Sequence, residues 1–506
     1  MRTPKAALRH NMNWDTAMTA SIPRILIVTA EPVGPLMGET AIRAWELATV
    51  LAREFRTTLA APAPVPADGP GFFIAAIPPA SEGYAALTEL IRAHDVIVAQ
   101  TLPLPALPAE EMATKYLVVD LCRPWIVEHL EAHHVRDSAS EQSWLARDLI
   151  AINGLLAAGD FFICPAETQR AFWLGALVHT GRLTETVYDR APDGRALIDV
   201  VPYGIPALPP PKRAKALKGV VPGIGPNDFV ALWGGGLWYG LDPLTLVHAT
   251  ARLRDVDYPI RAVMLDTPPP ATLDSTPAPP SLLDAVRRRS DELDLTNTHV
   301  FFPDGPVAYV ERADYLLEAD AGISLQQPSL EARFAFRTPV LDALWAGIVP
   351  VVSDGDAMAD LLRSYDAGRI VPPGDDAALA VTLANLIDNP YERRLLAARG
   401  HALGQSFAWE TVAQPLVAFC RAPVKGVRVP GFIAADLQER VNELERTLFQ
   451  TSTYAERLER QLAERGGPNL AGTPTDRGGG ARFRFRRTMN DFLHGRNDPS
   501  DETPPD

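Results

Sequence analysis

The residues best suited to chemistry lie between Ser329 and Asp356, in the run SLEARFAFRTPVLDALWAGIVPVVSDGD. Glu331, Arg333 and Arg337 are spaced so that helical turns present them together, and Asp342 follows on an apolar helix carrying Val340, Leu341, Leu344 and Trp345. Charges gathered at a helix start suit a nucleotide. The helix terminus and forked guanidinium donors take phosphate oxygens, and a carboxylate takes ribose hydroxyls. A buried ion pair of one arginine with Glu331 or Asp342 explains the same pattern. Three further groups have chemical potential. Gly34 and Gly38 punctuate the turn before a helix that starts near Glu39. Gly234, Gly235 and Gly236 precede Trp238, and Asp120 ends the run YLVVD.

The elements that position these residues are short buried strands alternating with helices. Arg24–Val28 reads as a first strand, and Thr57–Ala60, Phe72–Ile77, Asp95–Ala99 and Tyr116–Val119 follow it. Such alternation predicts a doubly wound α/β domain. Gly34 and Gly38 then fall at a strand's carboxyl end before a helix start, a layout that attracts anions and that an ordinary βα turn also produces. Asp120 sits at a strand's carboxyl end, where open α/β sheets place ligands, though capping the following helix is an equal use. Phe229–Trp233 restarts the pattern, and its glycines let backbone approach a ligand closely. Gly347 stops the signature helix before the strand Val349–Val352 and the turn Ser353–Asp356. His129, His133 and His134 complete no zinc pattern and read as an exposed helix face.

Together these stretches resemble the GT-B glycosyltransferases, and within them family 4 of retaining, nucleotide-sugar-dependent enzymes. The run FAFRTPVLDALWAG is similar to a bacterial subgroup with the pattern FAFRTxxLDxLWAG, and GGGLWYGLDPLTLVHA parallels the family's loop at the donor phosphates. The resemblance covers about residues 24 to 420. It implies an α/β GT-B fold, in which two Rossmann-like doubly wound domains face a cleft. It places Asp342 on the donor's ribose, where the family usually has Glu, and Gly34, Gly38, Gly235, Gly236 and Trp238 at the donor. Two departures stand out. The family's second acidic position falls at Phe334, which leaves Glu331, one helical turn earlier, as its nearest substitute. The Arg and Lys that many members carry between Trp233 and His248 are missing, so Arg333 and Arg337 are expected to neutralise the diphosphate. Glu331 and Asp120 are then the residues expected to face the sugars as catalytic groups. The donor is a UDP-, GDP-, ADP- or dTDP-linked sugar, the acceptor a glycan or lipid-linked glycan in bacterial surface-polysaccharide synthesis, and no metal is expected. A silent GT-B scaffold in a polysaccharide assembly is the alternative, favoured by both departures. A two-domain dehydrogenase is excluded because no GxGxxG follows the first strand.

The expected organisation runs as a disordered tail (1–22), an acceptor-side domain (23–206), a Pro- and Lys-rich linker (207–227) and a nucleotide-sugar domain (228–400). A helix crossing back to the first domain (401–422), a coiled coil (436–465) and a disordered tail (466–506) complete it. In the coil, Leu437, Val441, Leu444, Leu448, Thr451, Ala455, Leu458 and Leu462 step alternately by four and three, a seam for self-association over 437–462. The tail's Arg482–Arg487 basic-aromatic patch suits an anionic membrane surface or stays free. At 506 residues and 47% hydrophobic, the chain can bury two cores. Its formal charge of -14 argues against nucleic acid as a partner. Three scattered cysteines form no disulfide framework, and with no secretory signal at the start a cytoplasmic setting is expected.

Overall fold

The computed structural model describes residues 22–78, 84–103, 109–132, 141–237, 240–265, 282–303, 305–427 and 446. The expected coiled coil (residue 446 apart), both tails (Ile22 apart), His133, His134 and Trp238 lie outside the described residues.

Among the described residues, seven strands build the first sheet: β1 (Arg24–Val28), β2 (Arg56–Pro62), β3 (Phe73–Ile77), β4 (Val96–Ala99), β5 (Tyr116–Asp120), β6 (Phe161–Cys164) and β7 (Ile198–Val200). Six build the second: β8 (Phe229–Trp233), β9 (Ile260–Met264), β10 (Val300–Phe301), β11 (Ala321–Ser324), β12 (Val349–Ser353) and β13 (Arg369–Val371). The orders are β3-β2-β1-β4-β5-β6-β7 and β10-β9-β8-β11-β12-β13, and every pairing is parallel. The cause is visible in the strands themselves. VIVA in β4, FFIC in β6 and VPVVS in β12 are buried at every position, as strands covered by helices on both faces must be. In each sheet the winding reverses once, between β1 and β4 and between β8 and β11. Such reversal points open a crevice at the strands' carboxyl ends.

The signature stretch is two helices, not one continuous face. Ser329 caps the first, Leu330–Phe334, its Oγ accepting from Ala332 N at 3.0 Å. Ala335 and Arg337 are then extended, and a second helix runs Thr338–Ala346 with Pro339 in its first turn. Proline fits the first turn of a helix, where its missing N–H has no intrahelical partner to lose, so Pro339 favours a new helix start here. Gly347 ends the second helix with φ 68°, in the left-handed region glycine tolerates. Glu331, Arg333 and Arg337 are therefore not presented on a shared helical face.

The Pro-rich segment after β7 is strapped to the second sheet's helices. Asp314 accepts from Arg213 N and Ala214 N at 2.9 and 3.1 Å, and Glu318 accepts from Leu217 N and Lys218 N at 2.7 and 2.9 Å. Trp345 Nε1 donates to Leu208 O at 2.8 Å. The helix Gln414–Arg421 returns to the first sheet. Phe419 stacks on Phe161 at 4.7 Å, and Arg421 forks onto Glu54 at 2.6 and 2.7 Å.

One expectation about histidine is corrected. His129, on the helix Trp125–Ala132, is buried and lies 3.0 Å from the buried Asp148 of the helix Glu141–Ala158. The two helices pack face to face, which hides the ring that the sequence left on a solvent face.

Candidate functional site

A cavity of about 230 Å³ lies between the carboxyl edges of the two sheets. One wall comes from the first sheet's loops and helix starts: Met37, Gly38, Glu39, Arg123 and Glu128. The other comes from Gly234–Gly236 after β8, Ser324 and Gln326 after β11, and the segment from Glu331 to Asp342. Both reversal points thus open into the same space. Polar contacts close its rim. Tyr309 donates from Oη to Glu46 at 2.9 Å and from N to Pro35 O at 2.9 Å, and Gln169 Nε2 donates to Phe334 O at 2.8 Å.

Asp342 lines the cavity from the middle of its helix and pairs with Arg312, Nε to Oδ1 at 3.1 Å. Arg312 is locked in turn. Its guanidinium lies 3.7 Å over the Tyr309 ring and 5.0 Å from that of Trp345, and Nη1 donates to Tyr309 O at 2.8 Å. Burial works against the charge on Arg312, but the Asp342 carboxylate and Tyr309 more than offset it and raise the pKa, so the guanidinium stays charged. Nothing in the spacing of Arg312 and Asp342 announces this contact, since 30 residues and a strand crossover separate them.

The two arginines chosen from the sequence part company. Arg333 is exposed and outside the cavity lining. Arg337 lines the cavity, but its guanidinium donates to Ser324 O at 2.7 Å and Ser353 O at 2.8 Å and pairs with the buried Asp356. Its partner is neither Glu331 nor Asp342. Arg337 ties the ends of β11 and β12 to the signature turn, and the cations best placed to face a ligand are Arg312 and Arg123.

Asp120 ends β5 as expected, yet it neither caps a helix nor lines the cavity. It accepts from Arg43 Nε at 2.7 Å and Nη2 at 2.9 Å, and both side chains are fully buried. Arg43 also donates to Pro202 O at 3.1 Å and lies 4.9 Å from the Tyr203 ring.

Gly38 lines the cavity and Gly34 does not. The helix start behind Gly38 is already served, because Glu31 Oε2 accepts from Ala41 N at 3.0 Å. A Cβ on Gly38 would sit 2.5 Å from that same oxygen, so the glycine makes room for Glu31. The expected phosphate cradle is filled by the chain's own carboxylate. Gly235 and Gly236 line the opposite wall, where Trp233 Nε1 fixes their loop by donating to Gly236 O at 3.0 Å. The signature helix Thr338–Ala346 has no side-chain cap, and its first residues line the cavity. Pro339 brings no N–H there and Val340 N donates to Arg337 O at 3.1 Å, so what this terminus offers an anion is chiefly the positive end of the helix dipole.

Glu331 lines the cavity, while Phe334 packs 4.9 Å from Phe172. Burial pushes the Glu331 carboxyl up to about 8, aided by the charge of Glu128 and opposed by Arg123. Burial likewise pushes Glu39 up to about 7, against the pull of Arg123. Glu39, Gln169, Arg123 and Arg312 are cavity residues that the sequence pattern did not single out. Among the described residues, no cluster of three or more His, Cys, Asp or Glu has the geometry to hold a metal ion. No described helix is long and apolar enough to cross a membrane.

No family model matches the chain. The phosphatidyl-myo-inositol mannosyltransferase of Mycobacterium leprae is 35% identical over 83 residues, which are 16% of this chain and 22% of that relative. The chain thus matches about a fifth of the length of that curated relative. Sucrose-phosphate synthase from Thermosynechococcus elongatus has a TM-score of 0.56 at 16% identity, over 79% of this chain and 98% of its own. Anabaena HepE in complex with UDP-glucose has a TM-score of 0.57 at 15% identity, over 79% of this chain and 100% of its own. The likeness establishes the fold. Two Rossmann-like parallel-sheet domains face each other across a cleft, the GT-B arrangement.

Proposed function

We propose that this chain is a glycosyltransferase that moves a sugar from a nucleotide-sugar donor to an acceptor. The observation that carries the proposal is the cavity at the paired reversal points, with the Asp342–Arg312 pair on one wall and the uncapped Thr338–Ala346 helix start beside it. Open α/β sheets bind ligands at such points, and the positive end of a helix dipole favours phosphate. In this reading Asp342 accepts from the ribose hydroxyls. Arg312, released in part from Asp342, balances the charge that develops on the leaving diphosphate. Gly235 and Gly236 let the backbone approach the phosphates. Arg337 holds the frame that positions the helix start, and Glu331 faces the transferred sugar in place of the family's second acid. The HepE complex with UDP-glucose supports a uridine nucleotide as the first donor to try.

Several finer elements belong to the same proposal. Transfer proceeds with retention, the acceptor is a glycan or lipid-linked glycan of a bacterial surface polysaccharide, and residues 437–462 join copies of the chain. The enzyme works in the cytoplasm, with its basic-aromatic tail at the membrane. The direct test is release of nucleoside diphosphate from UDP-, GDP-, ADP- and dTDP-glucose by the full chain. Release from one donor, abolished in Asp342→Ala, is the expected outcome. A second reading, a silent scaffold, draws on Phe334 standing in an apolar contact where the family has an acid. Nucleotide binding without turnover of any sugar would favour it.

A further inference from the structure

Tyr309 ties one wall of the cleft to the cation on the other. It belongs to the loop between β10 and the helix Arg312–Leu316 of the second sheet. Its Oη donates to Glu46 Oε1 at 2.9 Å, and its backbone N donates to Pro35 O at 2.9 Å. Pro35 follows β1, and Glu46 lies on the helix Glu39–Leu51, whose Glu39 and Ile42 line the cavity. The first sheet's side thus grips this residue both at its backbone and at the tip of its ring.

The remaining surfaces of Tyr309 serve Arg312. The guanidinium lies 3.7 Å over the ring, and Nη1 donates to the Tyr309 carbonyl at 2.8 Å. Arg312 Nε in turn reaches Asp342 Oδ1 at 3.1 Å. An unbroken chain of contacts therefore runs from Pro35 and Glu46 through Tyr309 and Arg312 to Asp342. Burial raises the Glu46 carboxyl, while the Tyr309 hydroxyl and the Arg312 charge pull it back, so both partners are felt across the cleft. An ordinary rim contact would hold the walls together without touching the site. Here the residue that joins the walls is also the platform under the cation that faces the ligand.

We propose that Tyr309 is a positioning residue, a latch that couples closure of the cleft to occupation of the donor site through Arg312. In the transferase reading above, on which this rests, Asp342 and Arg312 are the donor's partners. When the cleft opens, both bonds to the first sheet's side break, and the ring under Arg312 loses the contacts that fix it. Arg312 then keeps Asp342 as its charged partner, and that carboxylate is withheld from the ribose hydroxyls. When the cleft is closed, the fixed ring goes on holding the guanidinium by cation–π attraction after the ribose has taken over Asp342. Such coupling is reciprocal, so a nucleotide that binds the closed form better must also favour closure. No covalent bond forms or breaks in this step.

The test is amide hydrogen exchange of the full chain, read by mass spectrometry without ligand and with UDP, GDP, ADP or dTDP. The Tyr309 amide is a direct probe, because its own N–H crosses the cleft to Pro35 O. In the wild type, the nucleotide that protects the helix Thr338–Ala346 should also slow exchange at Tyr309. Tyr309→Phe keeps the ring and the amide but loses the bond to Glu46, and Glu46→Ala loses the same bond from the other side. Each should speed exchange at Tyr309 and weaken nucleotide binding, measured by calorimetry, by about 10-fold, the scale of one hydrogen bond to a charged group. Combined, they should cost no more than either alone. Glu46→Gln, which still offers a carbonyl oxygen, should stay near wild type. Faster exchange with unweakened nucleotide binding, additive losses in the double variant, or a nucleotide that protects the helix and leaves Tyr309 unchanged overturns the latch and spares the transferase reading. Protection of neither segment by any nucleotide overturns the transferase reading. Exchange at Tyr309 in the unliganded variants then decides the latch, faster exchange keeping it as a lock on the cleft and unchanged exchange overturning it.

Discussion

Replacing Asp120 with alanine should destabilise the first domain rather than disturb chemistry. The substitution removes two charge-assisted hydrogen bonds, at 2.7 and 2.9 Å, from a guanidinium with no exposure to solvent. Arg43 would keep Pro202 O and the Tyr203 ring as partners, neither of which carries a charge. Breaking one side of a buried ion pair costs about 3–5 kcal/mol, because the stranded charge cannot reach water. Unfolding entropy of roughly 2.1 cal/mol/K per residue, over ~180 residues of the first domain, gives about 0.4 kcal/mol/K. The melting transition of that domain should therefore fall by roughly 8–12 °C. Differential scanning calorimetry reads it directly. Arg43→Met combined with Asp120→Leu should recover most of the loss, since apolar replacements of a buried pair are often close to neutral. An unchanged melting transition in Asp120→Ala, with sugar transfer lost, would refute this reasoning and return Asp120 to the chemistry.

Three further outcomes follow from particular contacts. Glu331 holds its proton in the folded state up to about pH 8 against a reference near 4.5, so the folded chain binds more protons than the unfolded one between those values and stability falls as pH rises through that window. Glu331→Gln should melt higher than wild type at pH 8, with the gain gone by pH 4.5, and thermal scans across pH decide it. Arg312→Ala removes the partner of Asp342 and the cation stacked on Tyr309, so nucleotide affinity measured by calorimetry should fall about 10- to 100-fold, the scale of a hydrogen bond to a charged group. Ser329→Ala removes the cap of the helix that carries Glu331 and should cost about 1 kcal/mol, visible as a lower denaturation midpoint at unchanged slope.

Much of the fold was legible because buried parallel strands leave a local mark. Runs such as Ile25–Val28 and Val349–Val352 are apolar on both faces, and the glycine stop at 347 is local backbone chemistry. Asp342 was legible by its place before that stop, and it does line the cavity. Charge pairing was not legible, because it is decided by crossovers. Arg43 meets Asp120 across 77 residues and Arg312 meets Asp342 across 30. Spacing alone put Arg333 and Arg337 together, but the extended break from Ala335 to Arg337 separates them, leaving Arg333 exposed and giving Arg337 to Asp356. Gly38 looked like a phosphate cradle, and only the packing shows Glu31 occupying that helix start. His129 reads as polar surface until the helix bearing Asp148 covers it.

The measurement that reaches the central claim most directly is a thermal-shift panel with UDP, GDP, ADP and dTDP on the wild type and Asp342→Ala. A ligand that binds only the folded chain must raise its melting temperature, by about 2.7 kcal/mol of stabilisation at 100 times its Kd. Stabilisation by one of the four nucleotides, lost in Asp342→Ala while the unliganded variant still melts cooperatively, is the predicted result. No shift with any nucleotide at millimolar concentration, or an equal shift in the variant, would contradict it.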